Sequence, residues 1–274
     1  MASTIELVIK PSTGWQPINF REIWLYRELL WFLVWRDIKI RYRQTALGVA
    51  WAVLQPLLLM ALFTVFFNRL GGMESGGPPY ALFAFTGLLG WTFFANAVTV
   101  SSNSLVGNQN LVSKIYFPRV FIPLGAIGGL VIDLFLSILL CLPLLAYYGW
   151  PLTPSLLWLP VFVLGTFVAA AGVGLLLSAL NVQFRDIKYV VPFLVQAGMF
   201  VTPVIYPAAS VPEKYQIWLG LNPMAGMVEG FRFAILGTPA NWGLIGLSLT
   251  VSGFLFVGSA FLFRRLERTF ADVI

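Results

Sequence analysis

The stretch LLWLPVFVLGTFVAAAGVGLLLSAL, residues Leu156–Leu180, runs for 25 residues without a charged side chain. An α-helix needs about 20 apolar residues to cross a hydrocarbon core of roughly 30 Å. Five further apolar stretches occur along the chain, at Ala46–Phe67, Tyr80–Ser101, Val120–Tyr147, Val190–Tyr206 and Trp242–Phe263. The sequence therefore predicts an all-α integral membrane protein with six transmembrane helices.

Lysine and arginine residues are concentrated in alternate gaps between these stretches. Fourteen of the 17 lie before the first stretch, in the second and fourth gaps, or after the sixth stretch. Because cytoplasmic loops carry such an excess, both termini are expected in the cytoplasm. This divides the chain into a cytoplasmic N-terminal segment (1–45), a six-span domain (46–263) and a cytoplasmic tail (264–274). Contact with anionic lipids, rather than with nucleic acid, accounts for the net charge of +6.

Two further helical segments are predicted outside the spans. Asn19 and Glu22 have the spacing of a capping box, and the helix that they begin would end near Tyr42. Its tryptophans and basic residues are typical of an amphipathic helix at the membrane interface, although simple packing on the protein is the alternative. Between spans five and six, Pro223–Leu236 is apolar but too short to cross a bilayer, as is the preceding Pro212–Leu221. These two segments are expected to form short re-entrant or interfacial helices.

The sequence lacks the usual residues for catalysis. It contains no histidine and no G-x-x-x-x-G-K-[ST] phosphate loop. Its single cysteine, Cys141, lies inside the third stretch, where a small buried apolar side chain is the simplest interpretation. No cysteine and histidine pattern for a metal ion is present. We therefore expect a protein that is not an enzyme and that has no metal site.

Asp133 is the one acidic residue well inside a predicted span. A carboxylate at this depth costs at least about 2.5 kcal/mol on insertion scales, so it should face protein or water. No basic residue lies inside another span to pair with it. One interpretation is a proton or cation site. The favoured one is a structural carboxyl that hydrogen-bonds to neighbouring helices or faces the cytoplasmic half-channel.

Aromatic and amide side chains share faces on two predicted spans, both of which contain proline. These residues are Tyr189, Phe193, Gln196 and Phe200 on the fifth span, and Trp51 and Gln55 on the first. Aromatic rings can contact the C–H face of a sugar while amides exchange hydrogen bonds with its hydroxyl groups. The six residues are candidates for the lining of a translocation path, and packing against other helices or lipid is the alternative.

Several short motifs, in order along the chain, resemble one transporter family. They are Arg36–Tyr42, Leu47–Pro56, Lys114–Pro123, Asn181–Ile187, Thr202–Pro207, Leu221–Met224 and Phe270–Asp272. On this topology they resemble the transmembrane subunit of type-2 ATP-binding-cassette exporters, in particular the permeases that export O-antigen, capsule or teichoic acid. A drug or antibiotic exporter of the same superfamily is the alternative.

The resemblance implies a homodimer in the bacterial cytoplasmic membrane that moves lipid-linked polysaccharide. ATP and Mg²⁺ would be bound by two separate ATPase subunits, which explains a chain without a phosphate loop or cofactor of its own. The surface helix and the cytoplasmic segment Ser104–Phe117 would contact these subunits, through Trp31, Trp35, Asn110, Lys114 and Tyr116. Arg185 and Asp186 would lie at the inner mouth of the path, unless they form only a local salt bridge.

Overall fold

The computed structural model describes residues 24–43 and 48–270 of the chain, and this part is built from helices and short connections. The helices are α1 (Arg27–Arg43), α2 (Gly48–Phe63), α3 (Tyr80–Gly107), α4 (Gln109–Lys114), α5 (Phe121–Gly128), α6 (Val131–Tyr147), α7 (Leu159–Gln183), α8 (Ile187–Val201), α9 (Glu213–Gly220), α10 (Ala225–Leu236) and α11 (Trp242–Leu266). A π-helical segment, Thr64–Leu70, continues α2, and 3₁₀ turns at Pro154–Trp158 and Glu267–Thr269 adjoin α7 and α11.

Helix α3 is the centre of the molecule. It packs against α2, α5, α6, α7, α8 and α10, and most of its side chains are buried. Several of the buried ones are small and polar, including Thr86, Ser101 and Ser102. Small residues let helix backbones approach closely where a lipid-facing helix would carry large apolar side chains. The small buried residues of α3 therefore allow its neighbours to pack closely around it.

Five helical segments in the described part are long and apolar enough to span a membrane, which makes the chain a multi-pass membrane protein. The remaining one, the fifth predicted span, is shorter, because its helix α8 has 15 residues and ends at Val201. At about 1.5 Å per residue it covers roughly 22 Å, less than the hydrocarbon core. The predicted end at Tyr206 is wrong, because Thr202–Pro207 is non-helical and largely buried. This segment is called the outer turn after the orientation that the basic residues predict.

The third predicted span is divided into two helices. Helix α5 ends at Gly128, and α6 begins at Val131 after a turn through Gly129 and Leu130. Asp133 consequently lies in the first turn of α6 rather than in the middle of an unbroken helix. The second span is longer than expected, because α3 continues to Gly107 before α4 begins.

Helices α9 and α10 confirm that the segment between spans five and six is helical. Helix α10 packs against α3, α7 and α11, and nearly all of its residues are buried. A Cβ atom at Gly226 would lie 2.7 Å from the Ile245 Cα atom, and one at Gly230 would overlap the Phe162 ring. The helix ends at Gly237, whose φ of 66° suits glycine. Glycine thus permits the close seating of a helix that is too short to span.

Helix α1 lies along α5 and exposes its aromatic residues on the opposite face. Leu33 is buried against α5, whereas Trp24, Trp31, Phe32 and Trp35 are exposed. The helix therefore packs on the protein through one face and presents tryptophans on the other, as an interfacial helix does. The expected cap at Asn19 lies outside the described residues.

Candidate functional site

The aromatic and amide face of α8 is exposed along its whole length. Tyr189 and Phe193 are 72% and 68% exposed, and Gln196 and Phe200 are exposed as well. The opposite side of the helix is anchored on α3, where Val191 is buried and Gly198 faces the Trp91 ring. These four side chains are therefore available to lipid, to a path or to a second chain.

Helix α2 presents a similar face on another side of α3. Trp51 is half exposed and Gln55 is intermediate, while Leu58, Leu62 and Phe66 extend the exposed surface. Of the five long helical segments, the one containing α2 is the least buried. Trp51 and Gln55 thus lie on the surface of a single chain, as do the four residues of α8.

A buried arginine holds the outer turn in place. The Arg232 side chain is 1% exposed, and its Nη1 and Nη2 atoms donate hydrogen bonds to the Pro203 and Val204 carbonyl oxygens at 2.6 and 2.7 Å. Nη1 also forms an ion pair with Glu229 at 2.9 Å. These carbonyl groups follow the end of α8, so no helical N–H is available to them, and the guanidinium satisfies them.

Two neighbours complete this outer site. The Tyr80 hydroxyl donates to the Ile205 carbonyl at 2.8 Å, and the Asn222 amide donates to the Thr202 hydroxyl at the same distance. The Thr202–Pro207 and Leu221–Met224 motifs are therefore in direct contact. The burial of Arg232 was not predicted, although a lone arginine inside an apolar helix indicates a side chain that is buried and paired.

The residues expected to contact the ATPase subunits lie on the surface, above one apolar cluster. Trp31, Trp35, Asn110, Lys114 and Tyr116 are all exposed. Beneath them, side chains from α1, α3, α4, α5, α7, α11 and the C-terminal segment form a shared cluster, called the cytoplasmic cluster after the orientation that the basic residues predict. It includes Leu33, Leu105, Val112, Phe117, Phe121, Leu175, Phe263 and Phe270. Helices α1 and α4 are thus fixed to a common base.

The C-terminal segment is part of this base. Phe270 is buried with its ring 5.4 Å from the Phe263 ring, edge to face. The Arg119 guanidinium donates to the Glu267 carbonyl at 2.6 Å, and the Arg119 backbone N–H donates to the Glu267 carboxylate at 3.0 Å. These contacts attach the loop after α4 to the end of α11. This attachment was not predicted, because residues 264–274 were expected to form only a cytoplasmic tail.

Arg185 and Asp186 lie in the exposed turn between α7 and α8. Within residues 24–43 and 48–270, no ion pair joins them, so the local salt bridge offered as an alternative is not formed. Just before the turn, the buried Asn181 donates to the Ser102 carbonyl at 2.8 Å and so links α7 to α3. The motif therefore combines an exposed charged pair with a buried amide that fixes its position.

Asp133 has two partners, both from α1. Its carboxylate forms an ion pair with Arg41 at 2.7 Å and accepts a hydrogen bond from the Tyr42 hydroxyl. Burial, and then the bond to Asp133, raises the pKa of the Tyr42 phenol, which therefore keeps its proton and acts as the donor. A hydrogen-bonded structural carboxyl is the favoured expectation, and the geometry agrees with it. Arg41 was not predicted as the partner, because it belongs to the surface helix and not to a span.

No three His, Cys, Asp or Glu side chains come together in the part of the chain that the structure describes, so that part offers no candidate metal centre.

The chain is similar to known transport proteins over most of its length. The family model described as ABC-2 type transporter matches residues 28–236. An O-antigen export system permease protein RfbA from Klebsiella pneumoniae is 30% identical over 252 residues, which cover 90% of this chain and 95% of that protein. One from Myxococcus xanthus is 33% identical over 77% of this chain and 82% of its own length. The polysialic acid transport protein KpsM of Escherichia coli is 25% identical over 73% of this chain and 78% of its own.

The family match includes α1, the central helix α3, the α8 face and the outer site built around Arg232. On this evidence the chain belongs to the ABC-2 type transporter family.

Proposed function

We propose that this chain is the permease subunit of an exporter that carries lipid-linked polysaccharide of the O-antigen type across the bacterial cytoplasmic membrane. The observation that carries the proposal is the similarity to O-antigen export permeases over nine-tenths of the chain. Two copies would form the path, and two separate ATPase subunits would supply the energy. The export step is then a change in the population of conformations that ATP drives, rather than a covalent reaction.

The exposed faces of α2 and α8 support a path formed between two copies. Both helices are anchored on α3 through one side only, and each exposes aromatic and amide residues on the other. These faces are exposed in the single chain, so contact with lipid or with a second copy is the alternative to a path lining. With a second copy facing them, Trp51, Gln55, Phe193 and Gln196 would lie along a common passage. Their aromatic rings could stack on sugar rings, and their amides could hydrogen-bond to sugar hydroxyl groups.

The surface of α1 and α4 supports docking of an ATPase subunit. Trp31 and Trp35 are large exposed rings, and Lys114 and Tyr116 follow at the end of α4. Tryptophan and tyrosine contribute strongly to protein interfaces when a partner excludes water from them. Because α1 and α4 share the cytoplasmic cluster, a partner that binds both would act on a single rigid base.

Alanine substitutions on the α8 face test the path. Phe193→Ala and Phe200→Ala should reduce polysaccharide export several-fold, whereas Phe193→Trp should be tolerated better because it retains a ring for stacking. Both side chains are exposed, so neither alanine creates a cavity in the single chain, and protein level should not change. Export is measured per assembled complex, with ATPase activity as the control. Unchanged normalised export in both variants would remove these residues from the path.

The identity of the exported molecule is tested by identifying the compound that accumulates in cells lacking this chain. Cells that lack this chain should retain lipid-linked polysaccharide at the inner face of the cytoplasmic membrane. A drug exporter would instead leave surface polysaccharide intact and increase sensitivity to a toxic compound. Complementation with the unmodified chain, but not with an empty vector, is the control.

A further inference from the structure

Helix α1 and the third span form a parallel helix pair with a constant register. A Cβ atom at Gly125 would lie 3.1 Å from the Leu33 Cβ atom, and one at Gly129 would lie 3.3 Å from the Asp37 Cβ atom. One turn further, Arg41 reaches Asp133. Each of these pairs is separated by 92 residues, so successive turns of α1 meet successive turns of α5 and α6.

Different chemistry acts along the two parts of this pair. The first part is a glycine seam, in which Gly125, Gly128 and Gly129 allow the α1 side chains to sit close to the α5 backbone. The second part is polar: Arg41 and Tyr42 both bind the Asp133 carboxylate, which lies beyond the turn that separates α5 from α6. The polar contacts thus bind α1 to the far side of the break in the span.

We propose that Arg41 and Tyr42 are positioning residues that clamp α1 onto the third span through Asp133, so that the surface helix and this span move as one body. The proposal rests on the proposed function in one respect, since it is a docked ATPase that would apply force to the exposed face of α1. The clamp then keeps α1 seated on the third span, so that the span moves together with the surface helix. The carboxylate works by holding a helix, and it carries neither a proton nor a cation through the membrane.

The structure supplies a covalent substitute for the clamp. A Cβ atom at Gly128 would lie 3.8 Å from the Val34 Cβ atom, which is the usual separation across a disulfide. The pair Val34→Cys and Gly128→Cys can therefore be oxidised to join α1 to α5 without Asp133. Cys141→Ala provides the background for all variants, because Cys141 is the only native cysteine.

The first experiment uses the permease alone in membrane vesicles. Leu33→Cys places a thiol under α1, where the native side chain is 2% exposed, and its rate of alkylation by a maleimide measures how often α1 lifts. Asp133→Asn should raise this rate by at least about fivefold, since local opening governs the reactivity of a buried group. Tyr42→Phe should have a smaller effect because Arg41 remains. Ser113→Cys, on the exposed face of α4, is the control and should react at an unchanged rate. Equal rates at position 33 with and without the carboxylate would overturn the clamp.

The second experiment uses the complex with the ATPase subunit. Asp133→Asn should lower export per ATP hydrolysed while the ATPase still co-purifies, and oxidation of the 34–128 cysteine pair should restore export. Reduction of the disulfide should abolish the rescue. If oxidised Asp133→Asn stays inactive although the disulfide has formed, the carboxylate itself is required and the clamp is the wrong explanation.

The exchange of Arg41→Asp with Asp133→Arg covers the case in which Asp133→Asn does not fold, because it retains an ion pair at the same place. It should restore slow labelling at position 33, and fast labelling would contradict the proposal. Absence of ATPase co-purification with the unmodified chain would contradict the proposed function alone, since the labelling experiment needs no motor.

Discussion

At the scale of single residues, the two side chains with the most demanding environments are Asp133 and Arg232. Both are charged groups in an apolar surrounding, and each is paired with an opposite charge as well as with neutral hydrogen-bonding groups. Breaking such a pair is costly because the remaining charge loses its compensation. Arg232 is the more buried of the two, so its replacement should mainly lower the free energy of unfolding.

Arg232→Met should lower the free energy of unfolding by roughly 3–5 kcal/mol, because it leaves the Glu229 carboxylate without its opposite charge and two carbonyl groups without their hydrogen-bond donor. The reaction of the buried Cys141 thiol with a fluorogenic dye during heating measures the lower unfolding temperature. Arg232→Met combined with Glu229→Gln should recover part of the loss. Lys214→Met, which removes a positive charge from the exposed surface of α9, is the matched control. Equal unfolding temperatures for both methionine variants would contradict this role.

At the scale of helices, α10 shows how a segment too short to span can still be buried. Its 12 residues contact α3, α7 and α11, whereas the preceding α9 packs mainly on α11 and exposes Tyr215, Ile217 and Trp218. The two neighbouring helices therefore differ in environment although both were predicted as members of one re-entrant pair. The glycines at 226 and 230 account for the difference, since they admit α10 between the spans.

Cysteines placed along α10 should be protected from aqueous reagents on both sides of the membrane. Ala225→Cys, Val228→Cys and Ala234→Cys replace fully buried side chains, so their alkylation should be at least about tenfold slower than that of Ile217→Cys on α9. Intact cells and inside-out vesicles are compared in a Cys141→Ala background. Labelling of any α10 position from the cytoplasmic side would show that the helix does not end within the outer part of the protein. Rates as fast as on α9 would mean an ordinary external loop.

At the scale of the whole molecule, the helices packed around α3 form a bundle whose two ends differ in structure. One end holds the outer turn, Arg232 and α10, and the other holds the cytoplasmic cluster with α1 and α4 above it. The basic residues concentrate at the second end, since Lys114, Arg119, Arg185, Lys188 and the arginines after Phe263 all lie there. We therefore expect this second end to face the cytoplasm.

Orientation and the need for a motor are tested together. Ser113→Cys should react from inside-out vesicles but not from outside intact cells, and Leu152→Cys, in the loop after α6, should show the opposite pattern. The purified chain alone should neither bind nor hydrolyse ATP, because its sequence has no phosphate loop. Labelling of Ser113→Cys from outside would reverse the topology. ATP hydrolysis by the purified chain would contradict its assignment as a subunit without a motor.

Local patterns were enough to predict the class of the protein and the exposed faces. A run of apolar residues shows that a helix can span, and helical spacing shows which of its side chains share a face. The predicted face of α8 is exposed, as are Trp31 and Trp35 on α1. The α8 residues are Tyr189, Phe193, Gln196 and Phe200. Their roles in transport and docking stay predictions. The breaks after Gly128 and Val201 were missed, because a non-helical turn inside an apolar run depends on partners elsewhere in the chain.

The sequence by itself determined that this is a membrane protein of apolar helices with its basic residues biased toward one side. Both features can be read locally, because a spanning helix needs only about 20 consecutive apolar residues and the charge bias is counted in the loops between them. Only the tertiary structure decided which helix is central, which glycines admit a neighbour, and which charges meet. The ion pair of Arg41 with Asp133 joins residues 92 positions apart, and Arg232 reaches carbonyl groups 28 and 29 positions away. Helical periodicity fixes the direction of each side chain about its own axis, but the neighbour on that side is chosen by the packing of the whole bundle.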